Sequence, residues 1–206
     1  TYAHLAGWLL TIGERQKALD RLESLMGMPN LPRQVINRGL GVADRLLTDR
    51  SGRDEAALVT DVLRVREAQS NSAEEGGDLV AVRERLTAWA KGRGHAAAIA
   101  RHGHLALFSA GCAAELAGDQ QGALGLYQDA LALCPMHRPS VEHILALPAE
   151  VAGVAQDGIR AQLETAGISD VNLHRDLVVP TRGVVLRHIS VDPSTIDPSQ
   201  TVSLRV

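Results

Sequence analysis

Residues 116–135 read LAGDQQGALGLYQDALALCP. Gly118 separates two stretches with helical spacing. Leu107, Ala110, Gly111 and Ala114 stand upstream, Ala123, Tyr127 and Ala130 stand downstream, and Pro135 closes the run. A glycine at such a junction suits a helix that ends and reverses, because only a residue without a Cβ turns there at no steric cost. Small residues at 111, 114 and 123 let two helices approach closely, and Tyr127 is then the large group that fills the space between them. The stretch predicts an antiparallel helical hairpin, with Gly118 as its turn. A helical hairpin that recurs at a fixed period would mean a stacked array.

The same frame fits the amino-terminal end. Gly13 becomes the turn, Tyr2, Leu5-Ala6 and Leu9 take the first-helix places, and Ala18, Leu22 and Leu25 take the second-helix places. Gly13 and Gly118 lie 105 residues apart, close to three periods of about 34. Gly52 followed by Ala57 is a weaker third instance. Between 78 and 103 the frame fails: a helix over 79–90 followed by KGRGHAAAIARHGH gives an odd helix count, so an irregular unit is expected there. Two further helices, near 139–147 and 149–165, read as a final unit or cap.

This arrangement resembles the tetratricopeptide repeat, whose first helix carries a large residue, then Leu-Gly, then an aromatic. Its second helix carries alanine, an aromatic four residues later and alanine again, before a closing proline. In the unit near 104–137, Leu107 replaces the usual tryptophan, Ala110 the leucine and Ala114 the aromatic. The resemblance covers roughly 1–166, with a second unit near 1–30 and degenerate units between. It implies a mainly α fold of antiparallel helical hairpins stacked as an α-solenoid. Ligands of that family lie in a concave groove lined by first helices. The matching groove positions are Leu105, Phe108, Cys112 and Glu115. Chaperone-binding members clamp a terminal carboxylate with lysine and asparagine; Phe108 and Cys112 occupy those places, so chaperone-tail recognition is not expected. Phe108 could instead anchor an apolar side chain.

Composition agrees with helices. The 206 residues are 45% hydrophobic and 22% charged but only 2% aromatic, and alanine- and leucine-rich helices need fewer aromatics than a β-sandwich. A net charge of −3 supplies no general drive toward nucleic acid or an anionic membrane. No apolar run approaches the roughly 20 residues needed to cross a bilayer. The polar stretch QSNSAEEGGD, 69–78, predicts an exposed loop, with Asp78 as the N-cap of the following helix.

After about 167 the character changes. LVVPTRGVVLRHISV, 177–191, places two β-branched runs around a Pro-Thr-Arg-Gly turn and predicts a hairpin. Two Asp-Pro pairs and the alternating TVSLRV follow, so 167–206 is expected to be an extended, strand-rich tail or the start of a further domain. The first residues, TYAHLAGWLL, read as mid-helix, which suggests a piece of a longer protein.

Few residues of the chain stand in a pattern that specifies chemistry. LHRDL, 173–177, matches part of the protein-kinase catalytic loop, but Thr181 stands where that loop has asparagine and no phosphate-binding glycine loop is present. His102 and His104 are two apart, which on a helix points them away from each other, so a solvated or capping role is expected for them. His137 and His143 are six apart, and no local acid or cysteine completes a metal set. Cys112 and Cys134 have no metal or redox spacing and read as buried thiols. No residue pattern asks for a cofactor. Arg83, Arg85, Lys91, Arg93 and Arg101 outnumber one acid over 83–101, while seven acids face two arginines over 118–170. The basic stretch could hold an acidic peptide or phosphate, although scarce aromatics argue against nucleic acid. The expected function is a scaffold that binds a peptide segment or partner subunit in its groove. The alternative is a docking or regulatory region of a larger enzyme. The compartment stays open, with the cytoplasm favoured.

Overall fold

The computed structural model describes residues 2–28, 30–48, 53–70, 78–92, 96–135 and 137–166. The expected hairpin and extended tail of 167–206, the turn at Gly52 and the side chain of Arg93 lie outside them. The described residues form nine α-helices and no strand. These are α1 (Tyr2–Thr11), α2 (Arg15–Met26), α3 (Arg33–Leu47), α4 (Arg53–Ser70), α5 (Leu79–Lys91), α6 (Ala96–Leu116), α7 (Gln120–Leu133), α8 (Arg138–Ala146) and α9 (Ala149–Thr165). The protein is mainly helical.

Local chemistry explains most boundaries. Pro32 and Pro148 sit at the N-caps of α3 and α9, where a missing N–H costs nothing. Asp78 caps α5 by accepting from the Ala81 N–H at 3.0 Å, and Asp119 caps α7 by accepting from the Gly122 N–H at 2.9 Å. Helix α4 runs on through Gln69 and Ser70, which the sequence placed in the following loop.

The corners at Gly13 and Gly118 are built alike. Their φ angles are +83° and +81°, in the left-handed region. Glu14 N–H donates to Leu9 O and Gly13 N–H to Leu10 O, at 2.9 and 3.2 Å. Asp119 N–H donates to Ala114 O and Gly118 N–H to Glu115 O, at 2.9 and 3.0 Å. Each is a Schellman closure that satisfies the last carbonyls of the preceding helix. Beyond each corner Ala18 and Ala123 are fully buried, as are Leu22 and Tyr127. At Gly111 a Cβ would stand 2.6 Å from Tyr127 Cδ1 and 3.1 Å from Cζ, so the ring lies directly on a bare backbone. The weaker frame at Gly52 is off by one: Ala56 is the fully buried residue, and Ala57 is only half-buried.

Helices α1 and α2, α3 and α4, and α6 and α7 pack as hairpins. Helix α1 lies on α3 and α2 on α4, while α4 also meets α5 and α6. Helix α5 is the odd helix of the 78–103 interval, and it packs on both α4 and α6. Helix α6 is continuous through Gly103, where a Cβ would meet Leu133 Cδ1 at 2.9 Å. Helices α8 and α9 pack on each other and on α7. One apolar core runs from Ala3 to Ala152, with Leu25, Met26, Leu63, Leu86, Tyr127 and Ile144 among its fully buried side chains.

The two corners differ on one side. Leu107 and Ala110 are buried, because α6 has α4, α5 and α7 around it. Their counterparts Tyr2 and Leu5 are 42% and 40% exposed, and Trp8 on α1 and Ile12 just beyond its end are exposed as well.

Candidate functional site

A cavity of about 980 Å³ opens where the end of α2, the last turns of α4, the middle of α6 and the first turn of α8 converge. Leu105, Phe108, Ser109 and Cys112 from α6 form one wall, one helical turn apart. Val65, Arg66 and Gln69 come from α4, and Met26 and Leu31 from around the end of α2. His137, Arg138 and His143 close the α8 side. Three of the four predicted groove residues, Leu105, Phe108 and Cys112, therefore line one opening.

Glu115, the fourth, lies a turn further along α6 in a hydrogen-bonded cluster behind that wall. The Tyr127 hydroxyl donates to Glu115 Oε2 at 2.6 Å, and His143 Nδ1 lies 2.9 Å from the same oxygen. With its carboxylate as the shared acceptor, His143 carries its proton on Nδ1. The bond from His143 holds the Glu115 carboxyl below its ordinary range, outweighing the opposing effect of burial. Cys112 Sγ lies 3.7 Å from the Tyr127 hydroxyl. Burial pushes the Cys112 thiol up to about 12 and the Tyr127 phenol up as well. A thiol held protonated near neutrality is not a nucleophile, so Cys112 acts as cavity wall.

The histidines gather through the fold, although the sequence showed no histidine cluster. His104 and His137 meet edge to face at 5.0 Å, and Phe108 contacts His137 and His143 at 5.1 and 5.2 Å. His137 is buried, pairs with Ser140 Oγ at 2.8 Å, and is lowered to about 4 by burial, so it is neutral at pH 7. His104 is lowered by burial too. His102 points elsewhere, pairing with Glu23 of α2 at 3.1 Å across 79 residues, with both side chains largely buried. This corrects the sequence reading, in which the histidine at 102 was solvated or capping. Among the described residues no group of three or more His, Cys, Asp or Glu could hold a metal ion. None of the described helices is long and apolar enough to cross a membrane.

The basic stretch is largely neutralised where it stands. Arg83 pairs with Asp119 at 2.7 Å, and Lys91 with Asp129 at 2.8 Å. Arg85 holds the buried Asp61 with two bonds of 2.9 and 2.7 Å. Arg101 is exposed on α6.

Sequence reasoning missed Arg66. Its two terminal nitrogens donate to Met26 O and Met28 O, across the end of α2. Burial lowers its pKa, and no carboxylate among the described residues pairs with it. The available signal was a basic residue directly after the run 58–65, most of which is buried.

No family model, curated protein or solved structure matches this chain.

Proposed function

We propose that the chain is an interaction module, built as a tetratricopeptide-like stack of helical hairpins, that holds a short peptide segment in the cavity beside α6. The stacked reading draws support from the paired glycine corners and from the way α1 lies on α3 and α2 on α4. The observation that carries the function is the convergence of Leu105, Phe108 and Cys112 on one opening of about 980 Å³. That volume is near the top of the range for pockets that enclose small ligands, about 300–1,000 Å³, and leaves room for a few residues of chain. Its α6 wall is apolar at Leu105, Phe108 and Cys112, while Arg66, Ser109 and His137 add polar groups to the lining, which suits an apolar anchor inserted beside Phe108. The protonated Cys112 thiol and the neutral His137 supply no activated nucleophile for a reaction there.

Peptide binding is tested with a bead-displayed library of random octapeptides, screened against the chain and against Gln69→Trp. Gln69 is an exposed residue that lines the cavity, with its side chain beside the Cys112 thiol, so an indole there fills part of the opening. Peptides enriched on the original chain should lose at least tenfold in affinity on the plugged one. Absence of enrichment, or equal affinity for both proteins, refutes the reading.

A docking region of a larger enzyme is the second reading, favoured by the exposed apolar residues Tyr2, Leu5 and Trp8 of α1 and Ile12 just after it. An uncovered apolar face of this kind suits a fixed neighbour.

A further inference from the structure

Arg66 holds a charge that its structural task does not require. Its terminal nitrogens cap the carbonyls of Met26 and Met28, as basic groups do at helix C-termini. A neutral group does the same work elsewhere in the fold. At the end of α8, the buried Gln156 amide reaches from α9 to the carbonyls of Ile144 and Leu147, at 3.1 and 2.7 Å. Capping a helix end from a neighbouring helix therefore needs donors, not a cation.

The guanidinium also has donors to spare, since two carbonyls use two of its five N–H groups. A carbonyl offers a partial charge only, so the full positive charge stays uncompensated in partly desolvated surroundings, which is costly. The other charges around the cavity are matched. Arg138 Nε binds Glu142 at 2.7 Å, and the Glu115 carboxylate is held by His143 and Tyr127. His137, buried and neutral, adds no charge of its own. The cavity thus presents an apolar wall at Leu105 and Phe108, opposite one cation that lacks an anion among the described residues.

We infer that the peptide held in this cavity carries a carboxylate, from an acidic side chain or a chain end, that docks on the free edge of the Arg66 guanidinium beside an apolar anchor at Phe108. The inference rests on the peptide-holding reading above and names the chemistry of its ligand. A planar guanidinium suits a carboxylate because its parallel N–H groups match the two oxygens.

The octapeptide library supplies the probes. Enriched peptides are resynthesised in three forms: as selected, with Asp and Glu replaced by Asn and Gln, and with an amidated C-terminus. Affinity is measured by fluorescence anisotropy on the original chain, Arg66→Gln and Arg66→Lys, with folding checked by circular dichroism. On the original chain one of the two neutralised forms should bind at least tenfold more weakly, and which one identifies the source of the carboxylate. Arg66→Gln should bind all three forms alike, whereas Arg66→Lys should keep part of the discrimination. Equal affinity of the three forms on the original chain overturns the inference, whether or not Arg66→Gln folds. So does a discrimination that survives intact in a folded Arg66→Gln. Failure to enrich any peptide would instead strike at the peptide-holding reading itself.

Discussion

Gly111→Ala tests the packing at the centre of the molecule. The added Cβ would stand 2.6 Å from Tyr127 Cδ1 and 3.1 Å from Cζ, and against Cε1 as well. The ring has nowhere to go: Tyr127 is fully buried, and its hydroxyl is held by Glu115 and His143. Overpacking of this kind costs about 1–3 kcal/mol, and contacts this short belong at the upper end. Alanine returns about 1 kcal/mol through helix propensity, so a net loss of about 2 kcal/mol is expected. Gly125→Ala is the matched control, because it lies exposed on the neighbouring helix α7 and a Cβ there meets nothing within 4 Å. It should gain up to about 1 kcal/mol. Both variants change the unfolded chain in the same way, so the separation of about 3 kcal/mol isolates the steric term. Urea unfolding followed by circular dichroism measures it, provided the slopes agree. Adding Tyr127→Leu to Gly111→Ala should cost less than the two single losses together, because the leucine vacates the space the methyl needs. If Gly111→Ala is as stable as Gly125→Ala, the tyrosine does not rest on that backbone and the packing account is wrong.

Two further outcomes follow from charge. Replacing Arg85 with Met strands the Asp61 carboxylate, whose side chain is only 9% exposed, and should cost about 2–3 kcal/mol; restoration of part of that loss by adding Asp61→Asn, read by the same unfolding assay, distinguishes a stranded charge from lost packing, and a loss below about 0.5 kcal/mol refutes the role. Acid should weaken the fold. His137 is lowered to about 4 from 6.5, so below pH 6.5 the unfolded chain takes up a proton that the folded chain refuses, and stability falls until about pH 4. At about 1.4 kcal/mol per pH unit the loss reaches at most about 3 kcal/mol. Glu115, lowered by its bond from His143, adds a loss that begins as pH drops below its ordinary value. Urea midpoints between pH 7.5 and 4.5 should decline, with a shallower decline in His137→Gln; an unchanged profile in that variant refutes the assignment.

Local signals were legible in the sequence. The glycine corners at 13 and 118, the cap at Asp78 and the burial of Ala123 and Tyr127 each depend on residues within a few positions of one another. A helix encodes such features in its own period, so spacing alone reveals them. The site was legible only on one wall, because Leu105, Phe108 and Cys112 share a face of α6. What faces them was not. Arg66 reaches carbonyls 38 and 40 residues away, Arg85 finds Asp61 at 24, and His102 finds Glu23 at 79. Partners of that kind are chosen by how hairpins dock, which no period within one helix records. The same limit hid the contacts of His137 and His143 with Phe108 and of His104 with His137, and it made five basic residues look like a free patch when three of them were already spoken for.

Counted from each glycine corner, Gly111 and Tyr127 occupy the places that Ala6 and Leu22 occupy at the other end, and all four are buried. In these places one hairpin carries the smallest residue and a phenol ring, and the other carries a methyl and a shorter aliphatic branch. The two pairs fill nearly the same total volume although neither member is the same. Each partner can drift as long as the other compensates, so the corner can persist while the letters that encode it diverge.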